Sequence, residues 1–249
     1  MDASYWNTIA PNYEDEIFNL FRHDKNNKLQ KLIRQYADPG TAADFGCGIG
    51  HGLPLLAKHF DNVHAYDLSS KNIRKCQQLH SQLSNIQYRQ ADLARTSLPG
   101  AKYTFALCVC CLIMPSLATR EKLLANILRS VKRGGHLLLV VPSLESSSFV
   151  SSRLIQWNLR VGMSAKKSLR AGFDRAADIS ATDIRQGVLP IEGVRTKHFC
   201  REELLDIVST KVAAQQIFKI QYEWNSVFER LPKRLQTALP WDWALLIEK

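Results

Sequence analysis

Residues 41–60 join a short apolar run to a helix-compatible segment through four glycines, and few folds admit such a junction. Thr41 to Phe45 reads as a strand carrying Asp44, glycines follow at 46, 48, 50 and 52, and Leu53 to Phe60 reads as a helix. Without a Cβ, glycine lets the chain turn sharply and lets a ligand approach the backbone. The helix start adds unpaired N–H groups and the positive end of a dipole. A dinucleotide loop needs glycines at its first, third and sixth positions. Counted from Gly46 the sixth position is His51, so that fingerprint fails, whereas Asp44, Gly46, Gly48 and Gly50 form an acidic-x-Gly-x-Gly-x-Gly pattern.

Two more acidic residues stand at comparable places. Asn62 to Ser69 reads as a strand bearing Asp67, 21 positions after Gly46. An acid at about that spacing accepts hydrogen bonds from ribose hydroxyls in nucleoside-binding sheets. The plainer role for Asp67 is to start the next helix, before Ser69 and Ser70. A third strand, Ile86 to Leu93, ends at Asp92, for which a turn position is the plainer role.

The remaining pattern alternates helices with strands. Lys25–Tyr36 and Ser70–Leu83 carry apolar residues at helical spacing. Tyr103–Cys111 is a nearly continuous apolar strand, and Leu123 to Val131 continues a helix ended by Gly134-Gly135. Gly135–Pro142 is a buried fifth strand, and Arg201–Val208 a further helix. Gln216–Phe228 and Trp241–Glu248 are strands with too little chain between them for a crossover helix, hence antiparallel. The expected fold is α/β: a Rossmann-like, doubly wound, seven-stranded, mostly parallel sheet.

On the Asp44 to Gly50 loop, Asp67, Asp92, the Lys132-Arg133-Gly134-Gly135 turn and the terminal antiparallel strand, the chain resembles the class I S-adenosylmethionine-dependent methyltransferases. The segment Trp6, Ala10 and Tyr13 is similar to the N-terminal cover of quinone- and sterol-type small-molecule members. The resemblance implies S-adenosyl-L-methionine as cofactor. It implies contacts from Tyr13, Asp44, Gly46, Cys47, Gly48, Gly50, Asp67, Leu68, Asp92, Leu93 and Cys110. Asp44 would hold the ammonium group, Asp67 the ribose and Asp92 the adenine amine. For Tyr13, simple packing stands beside the contact role.

At 249 residues and 45% apolar content, one domain spanning 1–249 is expected, with 1–36 as a helical cover. No secretory leader or bilayer-spanning run is read in the sequence. Six cysteines without a disulfide-like framework favour a reducing, cytoplasmic setting. Cys108, Cys110 and Cys111 suggest a metal, but no second Cys or His cluster completes a zinc-like set. With strand alternation, Cys108 and Cys110 share a side and Cys111 points away.

Transfer from a sulfonium requires alignment of nucleophile, methyl carbon and sulfur, and a hydroxyl acceptor usually needs a base. His51, Glu145 and His198 are candidate bases; each has a structural alternative as a capping, loop or linker residue. Cys200 to Glu203 resembles a capping box. The stretch 143–197 reads as a substrate-binding insertion: an apolar stripe from Phe149 to Val161, then Arg160, Lys166, Lys167, Arg170 and Arg175. A basic-rimmed lid suits a small acidic or amphiphilic acceptor. The formal charge of +10 supports the rival reading, an RNA methyltransferase. Against it, Cys110 to Pro115 offers no stacking aromatic for a flipped base. A dehydrogenase lacks its glycine spacing, and a binding protein without turnover is the remaining class.

Overall fold

The architecture is given by a computed structural model, described for residues 1–172, 180–191, 193–208, 212–226 and 232–249. The strands are β1 Thr41–Phe45, β2 Asn62–Asp67, β3 Ile86–Gln90, β4 Tyr103–Val109, β5 Val131–Pro142, β6 Val188–Ile191, β7 Val194–Lys197, β8 Ala214–Gln221 and β9 Trp241–Glu248. Seven of them form one sheet in the order β3-β2-β1-β4-β5-β9-β8, and β6 with β7 makes a separate hairpin. The pairs from β3 to β5 are parallel, while β9 runs antiparallel to both β5 and β8. This is the α/β sheet of the class I methyltransferase fold.

Helices cover the sheet because its strands are apolar on both faces. The chain starts with α1 Ala3–Ile9, α2 Tyr13–Glu16, α3 Leu20–His23 and α4 Lys28–Gln35. Then come α5 Leu53–His59, α6 Ser70–Leu79, α7 Leu117–Ser130, α8 Leu144–Arg160, α9 Ala165–Gly172, α10 Ala181–Arg185 and α11 Arg201–Val208. One face packs Ala42, Val63, Ala65, Phe105 and Leu107 against Leu29, Leu32 and Ile33 of α4, Leu53 and Leu56 of α5, and Ile73 of α6. The other packs Phe45, Tyr66, Tyr103 and Leu139 against Leu123, Leu124 and Ile127 of α7 and Leu204 of α11. Serine caps begin four of the described helices: Ser69, Ser116, Ser143 and Ser180 accept from the N–H groups of Asn72, Thr119, Ser146 and Asp183.

Several boundaries differ from the sequence expectation. Helix α7 ends at Ser130, before Gly134-Gly135, because Val131 already pairs with Tyr103 of β4. The two glycines form an irregularity within β5, and a Cβ at Gly135 would stand 2.9 Å from the Thr104 carbonyl oxygen. Strand β3 stops at Gln90, so Asp92 lies just beyond it. Strand β8 ends at Gln221; Phe228, once counted in it, lies outside the described residues. So does Arg175 of the basic cluster. The Glu203 carboxylate binds the buried Lys197 ammonium at 2.6 Å.

Candidate functional site

Parallel strands leave a crevice at their carboxyl ends, where Asp44, Asp67 and Asp92 emerge from neighbouring strands. A cavity of about 680 Å³ opens there, inside the ~300–1,000 Å³ range of small-molecule sites. Tyr13, Asp44, Gly46, Cys47, His51, Asp67, Leu68, Asp92, Leu93 and Cys110 all line it. The other proposed contacts, Gly48 and Gly50, lie beneath their neighbours. A Cβ at Gly48 would be 2.1 Å from the Tyr13 hydroxyl, and one at Gly50 2.6 Å from Cys76 Sγ.

Glycine is required here for conformation as well as space. Gly46 adopts φ +76° and packs its bare Cα against Cys111. The loop is tied to β2, since the Gly46 and Cys47 N–H groups both donate to the Tyr66 carbonyl at 2.8 Å. Asp67 fixes its far side. One carboxylate oxygen accepts from Gly48 N–H at 2.9 Å, and the other from Ser69 N–H at 2.8 Å and Asn72 Nδ2 at 3.2 Å. Those bonds favour its anion, yet burial outweighs them and raises its pKa.

Asp44 is different. It is buried, and among the described residues no donor reaches its carboxylate. Burial, with Asp67 nearby, pushes its pKa up to about 7. A buried carboxylate that faces a cavity without a donor is suited to a cationic ligand group.

The N-terminal cover is anchored over this crevice. Asn7 accepts from Ser69 Oγ at 2.7 Å and from Lys71 N–H at 3.2 Å, while Lys75 donates to the Ala10 and Pro11 carbonyls. Residues the sequence reading did not single out, Ile17, Phe18 and Phe21, complete an apolar wall with Val109, Ile113 and Met114. Their signal was the four-residue spacing of Ile17 and Phe21 near a Tyr-containing cover.

Cys110 takes φ +49°, an unusual value for a residue with a side chain. That rotation breaks the strand alternation. Cys108 and Cys111, expected on opposite sides, pack in the same apolar cluster, and both Cys110 and Cys111 face the cavity. Among the described residues no group of His, Cys, Asp and Glu side chains is placed to hold a metal ion.

Residues 42–135 match the model of a methyltransferase domain family. A Talaromyces variabilis protein, the S-adenosyl-L-methionine-dependent Diels-Alderase iccD, is 27% identical over 186 residues, which are 65% of this chain and 62% of that protein. The chain is thus similar to S-adenosylmethionine-dependent methyltransferases over its glycine-loop half, and it spans less than two thirds of the length of this curated relative. Two solved structures share the fold of this chain. The N-methyltransferase NodS of Bradyrhizobium japonicum WM9, bound to S-adenosyl-l-homocysteine, is 11% identical, with TM-score 0.62 over 99% of this chain and 97% of its own. DhpI, also as a complex with SAH, is 13% identical, with TM-score 0.62 over 99% and 94%.

Of the candidate bases, only His51 lines the cavity, with its Nε2 2.9 Å from Glu14. His198 is buried elsewhere; its Nδ1–H donates to the Thr196 carbonyl at 3.0 Å, and burial pushes its pKa down to about 4. Glu145 holds three donors: Arg201 N–H at 2.8 Å, Trp243 Nε1 at 3.0 Å and Ser143 Oγ at 3.0 Å. Burial raises its pKa and these bonds more than offset that, so it stays low. Glu145→Ala is therefore expected to destabilise the fold by about 1–3 kcal/mol, by orphaning the Trp243 and Arg201 donors. Urea unfolding checks this, and cofactor affinity should be unchanged.

No described residue of 143–197 lines the cavity. The stretch touches the site at one remove, where Lys197 N–H donates to the Ile113 carbonyl at 2.8 Å.

Proposed function

We propose that this protein transfers the methyl group of S-adenosylmethionine to a small, largely apolar acceptor. The observation that carries this reading is the polarity of the cavity along the sheet order. Carboxylates occupy the β3, β2 and β1 side. Val109 ends β4, Ile113 and Met114 follow it, and Phe18, packed on Tyr222 beyond β8, extends the apolar side. Asp44 holds the ammonium group, Asp67 the ribose hydroxyls, and Asp92 the adenine amine between Leu68 and Leu93. Tyr13 covers the glycine loop and excludes water. The cofactor supplies an electrophilic methyl, and the chain aligns an acceptor with it and keeps the site dry. His51 is the base for an acceptor that must lose a proton. The hairpin β6–β7 braces the Ile113 wall, and through it the 143–197 stretch shapes acceptor choice.

Asp44 gives the reading a pH signature. Below about pH 7 its carboxyl is protonated and forms no ion pair, so binding a cationic ligand must displace that proton. Cofactor affinity is expected to tighten as pH rises through 7 and to weaken by up to about tenfold per unit below it. Calorimetry at several pH values measures this, and Asp44→Asn should flatten the profile while weakening binding. A flat wild-type profile would remove Asp44 from the ammonium site.

Incubation with methyl-labelled cofactor tests the activity itself. Label should pass to apolar small molecules with equal release of S-adenosylhomocysteine; transfer to RNA alone would support the rival acceptor. The named activity of iccD favours a second reading, in which the bound cofactor assists a ring closure and keeps its methyl. Product formation without S-adenosylhomocysteine would establish it.

A further inference from the structure

Outside the cofactor crevice, exposed apolar residues gather at the closed end of the α8–α9 hairpin. The two helices run antiparallel. Gly172 lies against Ile155, to which a Cβ would approach within 2.3 Å, and the buried Ser168 faces the same way. The seam leaves other residues outside. Leu159 is 47% exposed, Val161 55% and Leu169 51%. Arg160, Lys166, Lys167 and Arg170 are exposed among them. From Ser146 to Phe173 the sequence holds no acidic residue. An apolar tip ringed by cations is the composition of an interfacial membrane anchor.

We infer that the closed end of this hairpin docks on an anionic lipid bilayer, with Leu159, Val161 and Leu169 entering the acyl boundary and the four cations meeting the headgroups. A second copy of the chain is disfavoured because like charges would face one another. RNA is disfavoured because Leu159, Val161 and Leu169 give a base neither a hydrogen bond nor a stacking ring. Each inserted Leu or Val strengthens binding by about tenfold or more, and each cation near the surface by about fivefold. This docking does not depend on what receives the methyl group.

Co-sedimentation with vesicles tests it, using phosphatidylcholine alone and phosphatidylcholine containing about one third phosphatidylglycerol. The protein should sediment with the anionic vesicles only, and less so at high salt. Lys166→Gln/Lys167→Gln/Arg170→Gln should lower the partition by about a hundredfold. Leu159→Ser/Val161→Ser/Leu169→Ser should lower it by at least tenfold. These residues are exposed, so both variants should keep their melting temperature and their S-adenosylmethionine affinity. Failure of the wild type to bind anionic vesicles would overturn the proposal, and so would full binding by the apolar variant. Binding to an RNA oligomer that survives the apolar substitutions, with no vesicle binding, would assign the cations to nucleic acid instead.

Discussion

Asp67→Ala is expected to weaken S-adenosylmethionine binding by about 1.5–3 kcal/mol, roughly ten- to a hundredfold, through loss of two hydrogen bonds to a charged acceptor. The same carboxylate also holds Gly48 N–H, Ser69 N–H and Asn72 Nδ2. Its removal therefore frees the glycine loop and the start of α6, and a fall in thermal stability should accompany the lost affinity. Asp67→Asn separates the two effects. The amide keeps one oxygen acceptor for the backbone but loses the charge, so stability should recover more than affinity does. An unchanged dissociation constant in Asp67→Ala would defeat the ribose assignment.

Gly46→Ala should be strongly destabilising. At φ +76° a side chain costs about 1–2 kcal/mol. The new Cβ would also stand 2.5 Å from Cys111 Sγ and 2.6 Å from Cys111 Cβ, so rotating the thiol away relieves only part of the clash. Overpacking of this kind adds about 1–3 kcal/mol. Gly134→Ala is the control: it has φ +72° but no atom within 4 Å, so it bears the backbone cost alone. In urea unfolding, Gly46→Ala should be destabilised beyond Gly134→Ala, and Cys111→Gly should restore part of the difference. Equal losses for the two glycines would mean that Cys111 does not abut the loop.

The parallel sheet and the polar half of the cavity were legible in the sequence because each depends on local order. A strand, an acid and a turn follow one another within a few residues at Asp44 and Asp67, and no distant contact is needed to recognise them. The apolar half was less legible. Phe18 and Phe21 reach the cavity through the path of the N-terminal cover, which Asn7 and Lys75 fix by contacts more than 60 positions away. Cys110 was assigned to the site by resemblance, but its left-handed backbone, and with it the packing of Cys111 on the cluster that holds Cys108, breaks the alternation used to orient strand residues. Glu145 and His198 lie off the cavity for a related reason. Sequence placed them near strand and helix ends, and only the fold shows their polar atoms already engaged with Arg201, Trp243 and Thr196.

The central claim, that this crevice binds S-adenosylmethionine through strand-end carboxylates, is tested most directly by calorimetric titration of the wild-type protein. The ligands to compare are S-adenosylmethionine, S-adenosylhomocysteine and NAD, with Asp44→Asn and Asp67→Ala alongside. Saturable binding of both adenosyl ligands, absent for NAD and sharply weakened in both variants, is the predicted result. Absence of adenosyl binding, or equal affinity in the variants, would contradict it.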